Sequence, residues 1–138
     1  MPCCNRENSA RRLLIAIALL GSLAACGADA TPPSSPGIKL VQNATASGLP
    51  AIVEFGAETC ASCREMKVVL DRVARRTQGR AHVLVIDISK DWEAAQMFRI
   101  QLMPTQAFFG PDGREIGRHM GKLSEAEVIA RLGVSATP

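Results

Sequence analysis

The most informative stretch of the sequence is Thr59-Cys60-Ala61-Ser62-Cys63-Arg64, which follows an apolar run over residues 51–55. At the start of a helix, positions i and i+3 face the same way, so the two sulfurs lie close enough to close a disulfide and to reopen it. The unpaired N–H groups and positive dipole end of a helix N-terminus stabilise a thiolate, which lowers the pKa of the first cysteine from about 8.5 towards 7 or below. The spacing therefore predicts Cys60 as the nucleophile and Cys63 as the resolving thiol.

Half of a zinc site has the same Cys-x-x-Cys spacing, but a tetrahedral zinc site needs about four ligands. The two histidines, His82 and His119, are far apart in sequence, and no cysteine follows Cys63. We therefore predict redox chemistry with no bound metal or other cofactor, in which the Cys60–Cys63 disulfide is itself the active group. An inert structural bridge is the alternative.

The composition indicates one domain and excludes some partners. The chain has 138 residues, of which 47% are hydrophobic, enough for a single core. Aromatic residues make up only 4%, which argues against an aromatic-lined platform for nucleic acid. The net charge of +3 comes largely from Arg6, Arg11 and Arg12, so the rest of the chain is close to neutral and nucleic acid is not a predicted partner.

The amino terminus has the pattern of an export signal. Basic residues precede an apolar run over residues 13–25, which is shorter than the roughly 20 residues that cross a bilayer and indicates a signal peptide over residues 1–25. Leu23-Ala24-Ala25-Cys26 resembles the lipobox of bacterial lipoproteins, which implies that Cys26 is acylated and becomes the mature N-terminus. Twin-arginine export through Arg11-Arg12 is an alternative route.

The expected location follows from this signal. It is the bacterial cell envelope, with the lipid anchor in a membrane that faces the periplasm or in the external face of the plasma membrane. Gly27, rather than Asp, follows the cysteine and favours the outer membrane. Residues 26–37 are small, polar and proline-rich, so we predict a lipidated flexible tether there and a folded domain over residues 38–138.

The domain reads as alternating strands and helices. We predict strands at 38–41, 51–55 and 81–88, a helix from the cysteines to Gln78-Gly79, a second helix at 91–100, a hairpin of strands 105–109 and 114–119, and a last helix opened by a capping box at Ser124–Glu127. Residues 43–48 are predicted to form no more than a helical turn. This order predicts an α/β fold with a mixed central sheet flanked by helices.

The element order, the Cys-x-x-Cys that opens a helix after a buried strand, and Met103-Pro104-Thr105 before the hairpin together resemble the thioredoxin superfamily over about residues 38–133. The resemblance implies a thioredoxin-like fold and a protein-disulfide oxidoreductase. It also implies that Pro104 is cis and stands beside the cysteines. Met103 and Thr105 would then bind substrate, the backbone of Met103 pairing with an extended peptide.

Glu54 lies inside the apolar strand, six residues before Cys60. The superfamily usually has a buried aspartate there, which takes or gives the proton of the resolving thiol, and burial would raise the pKa of such a carboxyl. The alternative is that Glu54 reaches solvent at a sheet edge. Val83 stands at about the place of a lysine often found near this acid, and Thr59 replaces a common tryptophan.

The stretch from Pro104 to Gly121 resembles exported thioredoxins that draw electrons from a transmembrane donor of the disulfide-reductase or cytochrome c biogenesis type. The expected function is therefore a membrane-anchored, extracytoplasmic reductase of protein disulfides that is fed by such a donor. The alternatives are a copper-delivery module and a non-catalytic binding module on the same fold. Copper-delivery proteins of this fold resemble Cys-x-x-x-Cys with a distal histidine, a spacing one residue longer than that found here.

Overall fold

A computed structural model describes residues 34–135. In chain order its elements are α1 (Pro36–Thr45), β1 (Ala51–Gly56), α2 (Ala61–Thr77), β2 (His82–Asp87), α3 (Trp92–Met97), β3 (Thr105–Phe109), β4 (Glu115–Met120) and α4 (Glu125–Leu132). The predicted signal peptide, the lipidation site Cys26 and the tether up to residue 33 lie outside the described residues. None of the helices in the described part is long and apolar enough to cross a membrane.

The four strands form one mixed sheet in the order β2-β1-β3-β4. β1 pairs in parallel with β2 and antiparallel with β3, and β3 pairs antiparallel with β4 as a hairpin. Every residue of β1 and β3 is buried, because these two strands are central and helices cover both faces. The predicted α/β fold with a mixed sheet flanked by helices is confirmed.

Each face of the sheet has its own apolar core, since successive side chains of a strand point to opposite faces. Val53 and Phe55 of β1 belong to the core with α1 and α3. Ile52 of β1 and Phe108 of β3 belong to the core with α2 and α4. By the same alternation Glu54 and Gln106 point to the face covered by α2, and this is the face that carries the cysteine pair.

The predicted strand at residues 38–41 is wrong, because this segment is part of α1. Ser35 caps the helix by accepting a hydrogen bond from the N–H of Ile38, and Pro36 occupies the first turn, where its missing N–H has no cost. The buried residues Ile38, Val41 and Ala44 are three apart, which is the spacing of a helix face. The domain therefore begins with a helix, and the predicted single turn at 43–48 is largely the end of that helix.

Two predicted boundaries also change. The tether predicted for residues 26–37 overlaps α1 at Pro36 and Gly37, and the N–H of Gly37 donates to Asp91 Oδ2 over 2.8 Å. The helix predicted for 91–100 is shorter, because Asp91 is its N-cap and Arg99 takes a positive φ of 52° just beyond its end. The capping box of Ser124 and Glu127 is confirmed.

Candidate active site

The cysteine pair stands where β1 gives way to α2. β1 ends at Gly56, the chain turns over residues 57–59, and Cys60 becomes the N-cap of α2. The N–H of Cys63 donates to Cys60 Sγ over 3.2 Å, and a disulfide joins the two residues, whose Cα atoms are 5.2 Å apart. Cys63 is only 5% exposed, whereas Cys60 is partly exposed. The site thus has one accessible sulfur and one buried sulfur.

Few donors surround the accessible sulfur. The hydroxyl of Ser62 lies 3.3 Å from Cys60 Sγ, and it must be the donor because a disulfide sulfur carries no proton. Arg64 directs its guanidinium to the carbonyl of Glu58 over 2.9 Å. Lys90 pairs with the carboxylate of Glu58 over 3.0 Å. The cations close to the turn are therefore engaged by oxygen atoms of the turn.

Glu54 is buried beneath this turn. Its side chain is completely inaccessible to solvent, and neither carboxyl oxygen has a hydrogen-bond partner within residues 34–135. Burial raises the pKa of Glu54 to about 8, and the attraction of Lys67 only partly opposes that rise. The alternative of a solvent-exposed Glu54 at a sheet edge is wrong, because β1 lies between β2 and β3. The carboxyl is thus a neutral acid at neutral pH that can exchange a proton.

Gly56 has no side chain, so the carboxyl of Glu54 and the sulfur of Cys63 can both lie beside it. A Cβ on Gly56 would lie 3.1 Å from Cys63 Sγ and 3.3 Å from Glu54 Oε1. Cys63 Sγ and Glu54 Oε1 therefore both lie next to Gly56, and a side chain at position 56 would crowd them. A pocket of about 250 Å³ adjoins this space, and its lining includes Glu54, Gly56, Cys63, Lys67 and Val85.

The cation nearest to the buried carboxyl comes from a helix. Strand register places Val85 opposite Glu54, so the neighbour of the acid on β2 is Val85, two residues beyond Val83. Lys67 of α2 lines the pocket instead, and its ammonium group pairs with Asp71 over 2.8 Å. Sequence reasoning did not place Lys67 beside Glu54, although its position one turn after Cys63 puts it on the same side of α2.

The loop before β3 reaches the same end of the sheet. The Met103–Pro104 peptide bond is cis, as predicted, and Pro104 is buried. Because β3 runs antiparallel to β1 and Thr105 pairs with Phe55, this loop lies at the end of β1 from which the cysteine turn departs. The fold therefore brings Pro104 to the end of the sheet that holds the cysteine pair.

The two residues beside the proline differ in exposure. Met103 is 45% exposed, whereas Thr105 is 2% exposed. The hydroxyl of Thr105 donates to the carbonyl of Leu102 over 2.7 Å, so this side chain holds the loop in shape. Met103 is the residue of the pair that an incoming peptide can reach.

Gln106 is a second polar residue that sequence reasoning did not select. It is fully buried and lies directly opposite Glu54 in the β1–β3 register. The sequence offered one signal: a polar residue, Gln106, directly precedes the apolar run Ala107-Phe108-Phe109. Within the described residues, no group of three or more His, Cys, Asp or Glu side chains is placed to hold a metal ion.

The site has an accessible sulfur bonded to a buried one, with an uncharged carboxyl behind them. These groups can carry out thiol–disulfide exchange. A disulfide opens when a thiolate attacks one of its sulfurs, and the reverse step needs a base for the second thiol. The fold and the site together define a dithiol oxidoreductase.

Comparison with known proteins agrees. The family model for thioredoxin matches residues 39–133, and the chain belongs to the thioredoxin family. It is 31% identical to thioredoxin of Pseudomonas aeruginosa over 83 residues, which cover 60% of this chain and 76% of that protein. It is 29% identical to the chloroplastic thioredoxin-like protein HCF164 of Oryza sativa subsp. japonica over 104 residues, 74% of this chain and 37% of that protein.

Among solved structures, chloroplastic thioredoxin z superposes with a TM-score of 0.64 at 28% identity, covering 70% of this chain and 87% of that chain. The predicted thioredoxin-like fold is thereby confirmed. The protein is a protein-disulfide oxidoreductase that uses the Cys60–Cys63 pair and acts on disulfides of other proteins.

Proposed function

We propose that this protein is a membrane-anchored thioredoxin that reduces protein disulfides outside the cytoplasm. Cys60 is the attacking thiolate and Cys63 the resolving thiol. The observation that carries this division is the difference in access, since Cys60 is partly exposed at the helix N-cap while Cys63 is 5% exposed against Gly56.

The reaction begins with the reduced protein. The Cys60 thiolate attacks one sulfur of a client disulfide, the other client sulfur leaves as a thiolate, and a mixed disulfide forms. In the fraction of molecules in which the Glu54 carboxyl is ionised, Cys63 then gives its proton to that carboxylate and attacks Cys60 Sγ. The second client sulfur leaves, so the client gains two electrons and the protein ends in the disulfide form described above.

Glu54 suits the transfer of that proton. Its pKa is about 8, close to the value of about 8.5 for an ordinary cysteine thiol. A proton passes between groups of similar pKa with little loss of free energy in either direction. Glu54 and Cys63 Sγ are both neighbours of Gly56, so the transfer crosses a short distance, directly or through one water molecule.

The loop at Pro104 supplies the client site in this proposal. Met103 is exposed at the end of the sheet that holds the cysteines, and its backbone precedes β3. An extended client peptide would pair with this backbone as an added strand does. Thr105 contributes through its hydroxyl, which ties the loop to Leu102.

Anchoring through an acylated Cys26 completes the proposal, and the lipobox-like Leu23–Cys26 supports it. Residues 26–35 precede α1 and, when fully extended, reach at most roughly 35 Å, so the domain would work close to a membrane surface. A reductant in an oxidising compartment turns over only if it is re-reduced. A transmembrane thiol donor of the disulfide-reductase or cytochrome c biogenesis type would fill that role.

Trapping tests the roles of the two sulfurs. Cys63→Ser removes the resolving thiol, so mixed disulfides with client proteins should accumulate and appear on non-reducing gels. The matched variant Cys60→Ser lacks the attacking sulfur and should accumulate none. Equal trapping by both variants, or by neither, contradicts the assignment, and reduction of insulin by the unaltered protein provides the control for activity.

Lipid labelling tests the anchor. When the full chain is expressed in a bacterium, the unaltered protein should incorporate radioactive palmitate, and Cys26→Ser should abolish that incorporation because the acylated sulfur is gone. The activity of the cysteine pair is independent of this result. Absence of label in the unaltered protein overturns the anchoring proposal alone.

A further inference from the structure

A second buried polar side chain, Gln106, faces Glu54. The two residues lie directly opposite each other on the antiparallel strands β1 and β3. Residues so placed project to the same face of a sheet, with their Cβ atoms roughly 5 Å apart. Both side chains are fully buried. The side chains of Glu54 and Gln106 therefore project from opposed positions to the same buried face of the sheet.

The hydrogen bonds of Gln106 fix the direction of its amide. Its Nε2 donates to the carbonyl of Gly121 over 3.1 Å. A carbonyl only accepts hydrogen bonds, so the nitrogen, and not the oxygen, must face Gly121. Oε1 of Gln106 is left without a partner among the described residues. The amide thus offers an unused acceptor inside the protein.

Glu54 also lacks hydrogen-bond partners within residues 34–135, and in its protonated form it can supply the donor that Gln106 lacks. Both of its oxygens lack a hydrogen-bond partner in the part of the chain that the structure describes, and an ionised carboxylate has only acceptors to offer. A carboxylate facing an amide oxygen would be repelled by it. A protonated carboxyl, in contrast, has one O–H to donate, and an unpartnered buried acceptor is costly enough to attract it. One proton on Glu54 satisfies both side chains.

We propose that Gln106 is a positioning residue that accepts a hydrogen bond through Oε1 from the protonated carboxyl of Glu54. This inference rests on the proposed role of Glu54 as the acceptor of the Cys63 proton. When Cys63 attacks Cys60 Sγ, its proton moves to Glu54, and Gln106 holds the resulting acid in the neutral form. When a thiolate of the proposed thiol donor attacks Cys60 Sγ, the Cys60–Cys63 bond breaks, a mixed disulfide with the donor forms, and the released Cys63 thiolate takes the proton back from Glu54. A second thiol of the donor then releases reduced Cys60 and leaves the donor as a disulfide.

Other groups around the carboxyl do not replace Gln106. The charged side chains Arg64 and Lys67 of α2, Glu58 of the turn and Asp87 of β2 line the pocket beside Glu54. On the far side, β3 carries no charged residue, and His119 of β4 lies opposite Gln106 with its Nε2 3.3 Å from the carbonyl of Lys122. Of these groups, the cations favour the carboxylate and the two acids favour the neutral form. Asp87 Oδ2 also lacks a hydrogen bond among the described residues, but it lies 3.6 Å from Nζ of Lys90, whereas Gln106 Oε1 has neither a hydrogen bond nor an ion pair there.

Carbon NMR of the oxidised protein tests the assignment without any substitution. In protein labelled with ¹³C, the side-chain carbonyl carbon of Gln106 should shift with pH at the same midpoint as the carboxyl carbon of Glu54. Glu54→Gln should make the Gln106 signal independent of pH in that range. A Gln106 signal that does not move while Glu54 titrates overturns the proposal.

Substitution gives a second, independent measure. Gln106→Met keeps the size of the side chain and removes the acceptor, so the pKa of Glu54 should fall by roughly one unit, the effect of one lost hydrogen bond to the neutral form. Gln96→Met makes the same change at an exposed position of α3 and should leave that pKa unchanged. An unchanged or higher pKa in Gln106→Met overturns the proposal. If the variant does not fold, the titration of the unaltered protein still decides.

These outcomes are separable from the proposed function. Client trapping by Cys63→Ser depends on Cys60 alone, so it persists if Gln106 has no part in holding the proton. Failure of trapping, in contrast, removes the proposed roles of the cysteines whatever the NMR result. A static Gln106 signal together with normal trapping removes only the role of Gln106.

Discussion

Glu54 is the buried carboxyl of this site, and its burial has a consequence for stability. Its pKa is about 8 in the folded protein, against 4.5 for an ordinary glutamate. Between these values the folded protein holds a proton that the unfolded chain has lost. Stability linked to Glu54 is therefore fully present below about pH 4.5 and declines as pH rises towards about 8, where the slope ends.

We expect Glu54→Gln to remove this decline. The free energy of unfolding of the unaltered, oxidised protein should fall relative to that of Glu54→Gln by up to about 1.4 kcal/mol per pH unit across this window. Urea titrations at several pH values measure it. Glu93→Gln, at an exposed position of α3, should keep the slope of the unaltered protein. Parallel pH profiles for Glu54→Gln and the unaltered protein would contradict the buried, titrating carboxyl.

At the scale of elements, local patterns predicted most of the fold. The core stripe of α2, which runs from Cys63 through Met66 and Leu70, repeats with the period of a helix, and the continuous apolar run of β1 is typical of a strand covered on both faces. The capping box at Ser124 is also confirmed. Each of these local signals lies within a few residues of the feature that it predicts. The cis bond at Pro104, which the resemblance to the thioredoxin superfamily implied, is confirmed as well.

The first element was predicted wrongly because a pattern of only four residues fits both the period of a strand and the period of a helix. Residues 38–41 alternate well enough for a strand, and short apolar runs do not distinguish strand from helix. The deciding signals were outside the run: Ser35-Pro36 as a helix start, and Ala44 as the third buried position after Ile38 and Val41. In this case the N-cap sequence indicates a helix more clearly than the apolar residues do.

The placement of Gln106 opposite Glu54 was beyond sequence reasoning for a different reason. Glu54 and Gln106 are 52 positions apart, and only the register between β1 and β3 sets them side by side. The register of two strands depends on the whole sheet and cannot be deduced from the sequence of either strand alone. For the same reason the residue beside Glu54 on β2 was placed at Val83, whereas the sheet puts Val85 there.

Within the described part of the molecule, the cysteine pair, Glu54 and the loop at Pro104 all lie at one end of the sheet. β1 and β2 are parallel, and their carboxyl ends at Gly56 and Asp87 both border the pocket. β3 begins at this end after Pro104. Ligands of open α/β sheets bind outside the carboxyl ends of parallel strands, because the loops that leave the strands there splay apart. Thiol chemistry at this edge leaves both apolar cores undisturbed.

The environment of Cys60 also bears on whether the protein gives electrons to clients or takes them. A strong oxidant stabilises its reduced thiolate with extra positive charge or hydrogen-bond donors. Here Ser62 supplies one hydroxyl at 3.3 Å, while Arg64 and Lys90 are engaged by the carbonyl and carboxylate of Glu58. The helix N-terminus remains, but little is added to it. We therefore expect a reduction potential closer to about −270 mV than to the roughly −120 mV of a strong oxidant.

Equilibration with glutathione measures this potential, and one variant checks its cause. Ser62→His places a cation beside Cys60, which stabilises the thiolate and should raise the potential by tens of millivolts, roughly 30 mV for each tenfold change in the equilibrium constant. Ala61→Ser adds only a hydroxyl and should move it less. A potential of the unaltered protein above about −150 mV would make the protein a disulfide donor in its compartment. The transmembrane reductant would then have no part in its cycle, although the division of labour between Cys60 and Cys63 would stand.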